Sequence, residues 1–477
     1  MQRLSIGDFI WLNIYWLGLN MASGSLTPII LPVLVQQFVG PEVKNTFYGA
    51  LRAAGLVVAI LVQPAAGLLS DRSTSRWGRR RPYIFLGTML DLVFLTVVAL
   101  SGNYWLLFFA ILLLQFSSNI AHGALQGLIP DLVPEDQRGR ASGVKAVMEL
   151  LPVVLTAFTV AKLVGGGHMT AAFVVVGGSL LVTMLLTVIF AREEPLREPS
   201  DHPLAPLMLR ILGLLLGMLI GALAGAICGV LVGGAGGLVA LPFAGRERAL
   251  MVGVGIGGLM AMVAAIIVGV WASVSISAEA RRYPSFTWWV TNRLLFLAAV
   301  GSLQSFALYF LQDVLRVPNA PDATANLMMV VGLFTLLAAL PSGYLADRIG
   351  RKRLVALAGL GATLGTLLLI FSPDVTWVLV SGCIIGVATG IFFATNWALG
   401  TDLVPPEEAG RYLGISNLAG AGAGIVGAGL GGPLADFFNR RVDSLGYLVI
   451  FAIYGACFLI SAVVLLWVRE ERQEMIA

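Results

Sequence analysis

The sequence predicts an all-α membrane protein of about 14 transmembrane helices: two pseudo-symmetric six-helix bundles plus an inserted two-helix hairpin. Three observations carry that expectation. Of 477 residues, 58% are hydrophobic and only 12% charged, about half the roughly 25% charge of a soluble globular domain and too little to cover a surface in water. The apolar residues gather in runs of roughly 18 to 28, each long enough to cross a hydrocarbon core about 30 Å thick as a helix. Two polar motifs then recur in the same order, the mark of a duplicated unit.

The first six runs lie near residues 8–38, 46–70, 83–100, 104–130, 141–164 and 169–191. A Pro-rich charged link from Arg192 to Pro206 closes this N-terminal bundle, residues 1–191. Two Gly-rich runs near 207–233 and 249–275 follow and fill an inserted segment, 192–285. They read as a spanning pair, with a re-entrant or surface hairpin as the alternative. The C-terminal bundle, 286–477, holds runs near 286–312, 324–346, 354–371, 375–401, 411–436 and 446–468.

With the N-terminus placed in the cytoplasm, the loops and tails on that side hold about 20 Lys and Arg against about 7 opposite, as the positive-inside rule requires. Both termini are therefore expected in the cytoplasm, and the protein in the cell (inner) membrane. Arg246 and Arg248 are the exceptions, placed outside. The first run is too long and polar-flecked for a signal-peptide core and reads as an anchor that stays. The net charge of +4 sits in alternate loops, which argues against a nucleic-acid partner. Cys228, Cys383 and Cys457 lie in apolar runs at no motif spacing, so neither a disulfide framework nor a metal site is expected. No Gly-x-x-x-x-Gly-Lys-Ser/Thr loop is present, which argues against ATP-driven work, and nothing points to an enzyme or a cofactor.

The duplication is the most informative feature. Gly67-Leu68-Leu69-Ser70-Asp71-Arg72, with Gly78-Arg79-Arg80-Arg81 after it, returns as Gly343-Tyr344-Leu345-Ala346-Asp347-Arg348-Ile349-Gly350-Arg351-Lys352-Arg353. Asp131-Leu132-Val133-Pro134 with Gly139-Arg140 and Gly143 returns as Asp402-Leu403-Val404-Pro405 with Gly410-Arg411 and Gly414. Both elements keep their order and their side, which indicates a parallel repeat of a six-helix unit.

The Gly-x-Leu-x-Asp-Arg-x-Gly-Arg-Lys-Arg string between the second and third helices of each half resembles the loop signature of the major facilitator superfamily. The first copy inserts Ser73-Thr74-Ser75-Arg76-Trp77 before Gly78-Arg79-Arg80-Arg81-Pro82-Tyr83-Ile84, a form similar to the sucrose and glycoside-type cation symporter branch. That branch ends its fourth helix roughly Asn-x-x-Gln-Gly-Pro-x-Arg. Here Asn119-Ile120-Ala121-His122-Gly123-Ala124-Leu125-Gln126 places His122, Ala124 and Gln126 at its Gln, Pro and Arg positions. The inserted pair also departs from the usual twelve helices.

The resemblance implies a secondary active transporter working by alternating access, with proton-coupled uptake of a sugar or glycoside. Its partners would be that small molecule, a proton or other monovalent cation, and the bilayer. An efflux carrier for amphipathic compounds is the alternative within transport, and a non-transporting receptor or assembly factor the alternative outside it. The resemblance also gives Asp71 and Asp347 a gating role that holds the halves closed on the cytoplasmic side. Arg72, Arg79, Arg140, Arg348, Arg351 and Arg411 are their candidate partners. Pseudo-symmetry directs Asp71 toward the helix starting at Arg411, and Asp347 toward the one starting at Arg140. Basic loops that merely fix topology are the plainer reading.

Ionisable groups inside spans are costly and functional by default. Asp91, His122, Glu149 and Arg293 each lie some 7 to 10 residues deep, which at about 1.5 Å per residue is close to the midplane. Lys145 and Glu149 share a helix face at i, i+4 and are expected to pair; Glu149 is the candidate for coupling. A static pair is the bland alternative. Asp91 is expected to matter less, because the superfamily packs its third helix outside the cavity. His122 alone is more often a hydrogen-bonded core residue. Asn20, Gln126, Gln304 and Asn396 supply amides suited to hydroxyl recognition.

Overall fold

The computed structural model describes residues 4–191, 193, 205–276, 284–403 and 409–469, the side chains of 135, 205–211, 347, 401–402 and 409–421 excepted. Every regular element among them is helical. In chain order they are α1 (Ile6–Val39), α2 (Lys44–Asp71), α3 (Arg81–Ala99), α4 (Tyr104–Leu132), α5 (Arg138–Gly165) and α6 (Met169–Phe190). The inserted segment gives α7 (205–244) and α8 (246–276). Then come α9 (Pro284–Val314), α10 (Ala320–Ile349), α11 (Arg351–Ile370), α12 (Val375–Asp402), α13 (Ala409–Asn439) and α14 (Leu445–Trp467).

Local signals explain where these helices begin. Ser5 and Asp8 form a reciprocal capping box on α1, and Asn103 and Asp374 accept the N–H groups of Leu106 and Trp377 at 2.9 and 3.1 Å to cap α4 and α12. Pro82 starts α3 where its missing N–H costs nothing. Two helices are not regular throughout. The α1 path widens into a π turn at Leu26–Ile30, where Pro28 has no N–H to donate, and α9 does the same at Phe310–Val314.

Twelve stretches of the described residues are long and apolar enough to cross a bilayer. One of them, Leu212–Ser275, comprises both arms of the hairpin, and α13 is a further 31-residue helix. With the hairpin counted as two arms and α13 added, the described residues hold fourteen long helices, about the number expected. The hairpin departs in one respect: the gap expected between its arms is helical, and the chain reverses only at Gly245, whose φ of 75° suits glycine. Glycine is a poor helix former on its own propensity. Packing overrides this. Gly217, Gly221, Gly225, Gly229, Gly233 and Gly237 recur every fourth residue and meet the small residues Gly253, Gly257, Ala261, Ala265, Gly269 and Ser273 of the other arm. Such a ladder lets two backbones touch and their dispersion contacts hold the pair. It runs about 30 Å at 1.5 Å per residue, a bilayer's hydrocarbon thickness. Met218 against Gly422, Leu434 against Gly258 and Phe438 near Gly255 lay the hairpin along α13, so it reads as a spanning pair rather than a surface one.

The chain divides into two compact units. One contains Met1–Gly40, Ala54–Pro206 and Asn319–Met329; the other Pro41–Ala53, Leu207–Pro318 and Val330–Ala477. These limits differ from the sequence boundaries: the hairpin and the first turns of α2 go with the second unit, the start of α10 with the first. In unit 1, α1 packs on α5 and α6, and α3 on α4 and α6. In unit 2, α9 packs on α13 and α14, and α11 on α12 and α14. The two packing schemes are the same with the helix numbers advanced by eight, which is the structural form of the repeat.

Candidate functional site

Unit 1 gathers five of the expected residues around Trp16 of α1. Lys145 Nζ lies 4.0 Å from the centre of the Trp16 ring and 3.5 Å from Glu149 Oε1, one turn further along α5. The His122 ring stands edge-on to Trp16 at 5.1 Å, and Gln126 Nε2 is 3.3 Å from His122 Nε2. Asn20 donates to the Trp16 carbonyl at 2.8 Å. Lys145 and Glu149 are half-buried, with side chains 31% and 38% exposed, so a solute can reach both. Asp91 does not join this group. It is 1% exposed and accepts the Ser117 hydroxyl of α4.

Unit 2 has a second polar cluster, on α9 and α12. Arg293 Nη1 donates to Asn396 Oδ1 at 3.0 Å, and Asn396 Nδ2 to Asn292 Oδ1 at 2.8 Å. Asn292 in turn donates to the Ser461 carbonyl at 2.8 Å, which fixes the chain's far end. The Arg293 guanidinium lies 5.1 and 5.9 Å from the Trp397 and Trp289 ring centres. Trp289 is itself held by a 2.9 Å bond from Nε1 to the Asn396 carbonyl. Arg293 makes no ion pair among the described residues, and its Nε is a buried donor without a partner. Asn292, Asn396 and Trp289 are fully buried with their polar atoms already bonded, so Arg293 and Trp397, both half-buried, are the members of the cluster that a solute can meet. Gln304 is exposed elsewhere on α9 and joins neither cluster.

The first loop motif folds into a charge knot within unit 1. Arg80 pairs with Asp71, meets Asp131 Oδ2 through Nε at 2.9 Å, and donates to the Gly67 carbonyl at 3.2 Å and to Ser70 Oγ at 2.5 Å. Arg79 takes the other oxygen of Asp131. Glu193, just past α6, accepts the Arg80 backbone N–H at 2.8 Å and so caps the start of α3. Gly78 admits that carboxylate: a Cβ there would collide with it, and its φ of 99° is glycine territory. Burial pushes the Glu193 carboxyl above the ordinary glutamate range, against the Arg80 and Arg81 backbone donors and the Arg80 charge.

The other gating candidates divide. Arg72 closes the end of α2 with its N–H on the Leu69 carbonyl at 3.3 Å, and Arg140 is exposed. Arg348 lies 4.5 Å over the Tyr344 ring, and Arg351 donates to the Ala398 carbonyl at 3.0 Å. The side chains of Asp347 and Arg411, and with them both partnerships expected from pseudo-symmetry, lie outside the described residues.

At the opposite end of α2, unit 2 contains a clamp that the sequence did not announce. Asp436 of α13 accepts the Asn45 and Thr46 backbone N–H groups at 3.3 and 2.7 Å and the Asn45 amide at 2.8 Å. These are orphan donors of the first turn, and a carboxylate there also meets the positive end of the helix dipole. Lys44, 2% exposed, pairs with Asp313 of α9 at 2.7 Å. Tyr447 of α14 donates to Asp313 at 2.5 Å and receives Asn45 Nδ2 at 3.3 Å. Gly432 allows the approach, since a Cβ would strike the Asn45 carbonyl. Arg80, Asp131 and Glu193 of the knot were also absent from the sequence-derived site. Asp131 carried a signal in its repeat as Asp402. The clamp residues carried none, because charges at helix ends are ordinary.

The family model described as Major Facilitator Superfamily matches residues 16–317 and 294–476. The chain is 29% identical over 172 residues to the General alpha-glucoside permease of Schizosaccharomyces pombe, covering 31% of each. It is 27% identical over 186 residues to Sucrose transport protein SUT1 of Oryza sativa subsp. japonica, covering 31% of this chain and 35% of the relative. A third relative, Multi-drug resistance efflux pump PmrA of Streptococcus pneumoniae, is 32% identical over 120 residues, covering 24% of this chain and 30% of the pump. The chain spans about a third of the length of the curated relatives it matches. Among solved structures, a peptide transporter POT in complex with sulfate superposes with a TM-score of 0.67 at 15% identity, covering 98% of this chain and 95% of that one. The nucleoside transporter NupG gives 0.64 at 12%, covering 97% and 98%. These relatives and neighbours are membrane transporters rather than enzymes, and with both halves matched the chain belongs to the Major Facilitator Superfamily.

Proposed function

We propose that this transporter takes up a sugar or glycoside by alternating access, coupled to the proton gradient across the cell membrane. The observation that carries the reading is the Arg293–Asn396–Asn292 chain flanked by Trp289 and Trp397. The buried asparagines fix the half-buried Arg293 guanidinium beside the half-buried Trp397 indole, and a held guanidinium next to an indole suits a ring that presents hydroxyls on its edge and C–H groups on its face. The glucoside permease and the sucrose transport protein among the relatives support the same class.

Glu149 is the carboxylate assigned to coupling. Lys145 lies 3.5 Å from it and over the Trp16 ring, so a solute that contacts the ammonium also reaches the carboxylate. With both termini in the cytoplasm, the Asp71–Arg80–Asp131 knot lies on the inner side and the Asp436–α2 clamp on the outer. Their making and breaking would accompany the cycle.

Extrusion of amphipathic compounds is the second reading, favoured by the similarity to the multidrug efflux pump. A ligand screen on purified protein separates the two, because a ligand that prefers the folded state raises its melting temperature. Saccharides or glycosides should stabilise the protein and then accumulate in proteoliposomes under an inward proton gradient. Stabilisation by lipophilic cations alone, with proton-driven loss of those cations from the vesicles, would replace uptake by efflux.

A further inference from the structure

Asp91 stands apart from both polar clusters, and its surroundings are those of a binding site. A cavity of about 80 Å³ lies inside unit 1 among α1, α3, α4 and α6. Its polar lining is Asp91, Ser23, Thr27, Gln115 and Ser118, set among leucines, one isoleucine and one alanine. At roughly 30 Å³ per liquid water it has room for an ion and one or two waters. Ser23 is exposed and Asp91 is 1% exposed, so the lining leads from solvent to a buried carboxylate. Asp91 accepts one neutral hydroxyl, from Ser117, and has no Lys, Arg or His partner among the described residues.

An ionised carboxylate cannot be left so placed. Removing it from water costs several kcal/mol unless a cation accompanies it or a proton neutralises it. A second, independent feature points the same way. Thr27 lies in the π turn Leu26–Ile30, where the Leu31 N–H bonds the Leu26 carbonyl five residues back. A π turn changes the partners of the helix carbonyls and is frequent at functional sites. Every lining polar group offers hard oxygen, the ligand type that small unpolarisable cations select.

We propose that Asp91, Ser117 and this cavity form a site for one monovalent cation, a proton or a sodium ion, distinct from the Glu149–Lys145 pair. It rests on the transporter reading only for its purpose, since occupancy can be measured without transport. A proton resides on the Asp91 carboxyl; a sodium ion lies between that carboxylate and the hydroxyl and amide oxygens of Ser23, Thr27, Gln115 and Ser118.

The test is made on purified full-length protein in detergent. Melting temperature is measured in sodium, potassium and choline chloride at one ionic strength, and infrared difference spectra are recorded through a pH titration. The sodium form requires a rise of several degrees with sodium alone that is lost in Asp91→Asn. The proton form requires no difference between the salts and a protonated carboxyl band present in wild type and Glu149→Gln but missing in Asp91→Asn. Neither response, in wild type that is folded and monodisperse, overturns the site. Should Asp91→Asn not fold, Ser117→Ala decides: it should weaken the sodium response or shift the carboxyl band, and an unchanged response overturns the proposal. Failure to find saccharide transport leaves all of these outcomes intact.

Discussion

At the scale of single residues, burial separates groups that the sequence placed at the same depth. Asp91 and Glu149 both lie near the midplane by counting, yet one is 1% exposed and the other has 38% of its side chain exposed. Helical position gives depth, but the face a residue presents depends on neighbours that no local pattern specifies. Glu149→Gln keeps shape and removes titration. Gradient-driven accumulation should fall to the equilibrium ratio in proteoliposomes while exchange with preloaded substrate stays within about threefold; retained uphill uptake would move coupling elsewhere. Arg293→Gln removes hydrogen bonds to a charged group, each worth about 1.5 to 3 kcal/mol, so KM for uptake should rise about 10- to 100-fold. An unchanged KM would exclude Arg293 from the substrate contacts. Glu193 adds a pH effect outside the spans. Its raised carboxyl binds a proton more tightly folded than unfolded, so its contribution is present at low pH and is lost as pH rises from the ordinary glutamate range through the raised value. Melting temperature should fall across that window in wild type, and Glu193→Gln should flatten the slope.

At the scale of elements, the helices were legible and their ends were not. Each apolar run is a helix because a lipid-facing segment must satisfy its own backbone groups. The ends depend on long-range partners: Asp436 caps α2 from nearly four hundred residues away in the chain, |i−j| = 390 for Thr46. The clamp can be tested by charge. Lys44→Met leaves the half-buried Asp313 carboxylate without its ammonium and should cost about 1 to 3 kcal/mol. Adding Asp313→Asn removes the stranded charge and should recover most of the loss. The measurement is thermal unfolding of single and double variants in detergent. A double variant no more stable than Lys44→Met would show that Lys44 acts through the Tyr309 ring, 4.6 Å away, rather than through Asp313.

Across the whole molecule, the duplication reaches further than its motifs. The matched helix packing was foreseeable from the repeated loops. The paired π turns were not: one occurs in the first helix of each half, at Leu26–Ile30 and Phe310–Val314, and hydropathy is blind to both. One borders the Asp91 cavity and the other carries Asp313, so the same irregularity lines a cavity in one unit and a clamp in the other. The hairpin lies outside the repeat, and its own packing suggests that the twelve remaining helices can do without it. Its arms are held by their glycine ladder, whereas Met218, Leu434, Phe438 and the 3.6 Å Met262–Cys457 contact attach it to α13 and α14. In lipid, acyl chains are as apolar as the side chains they would replace, so removing it exposes α13 and α14 to a solvent that suits them. Deleting residues 207–275 and joining the ends with a short polar linker should therefore give a monodisperse protein with uptake within about threefold of wild type. Size-exclusion profiles and proteoliposome uptake check this together. A folded deletion protein that binds substrate but does not transport it would mean that the hairpin takes part in the conformational cycle.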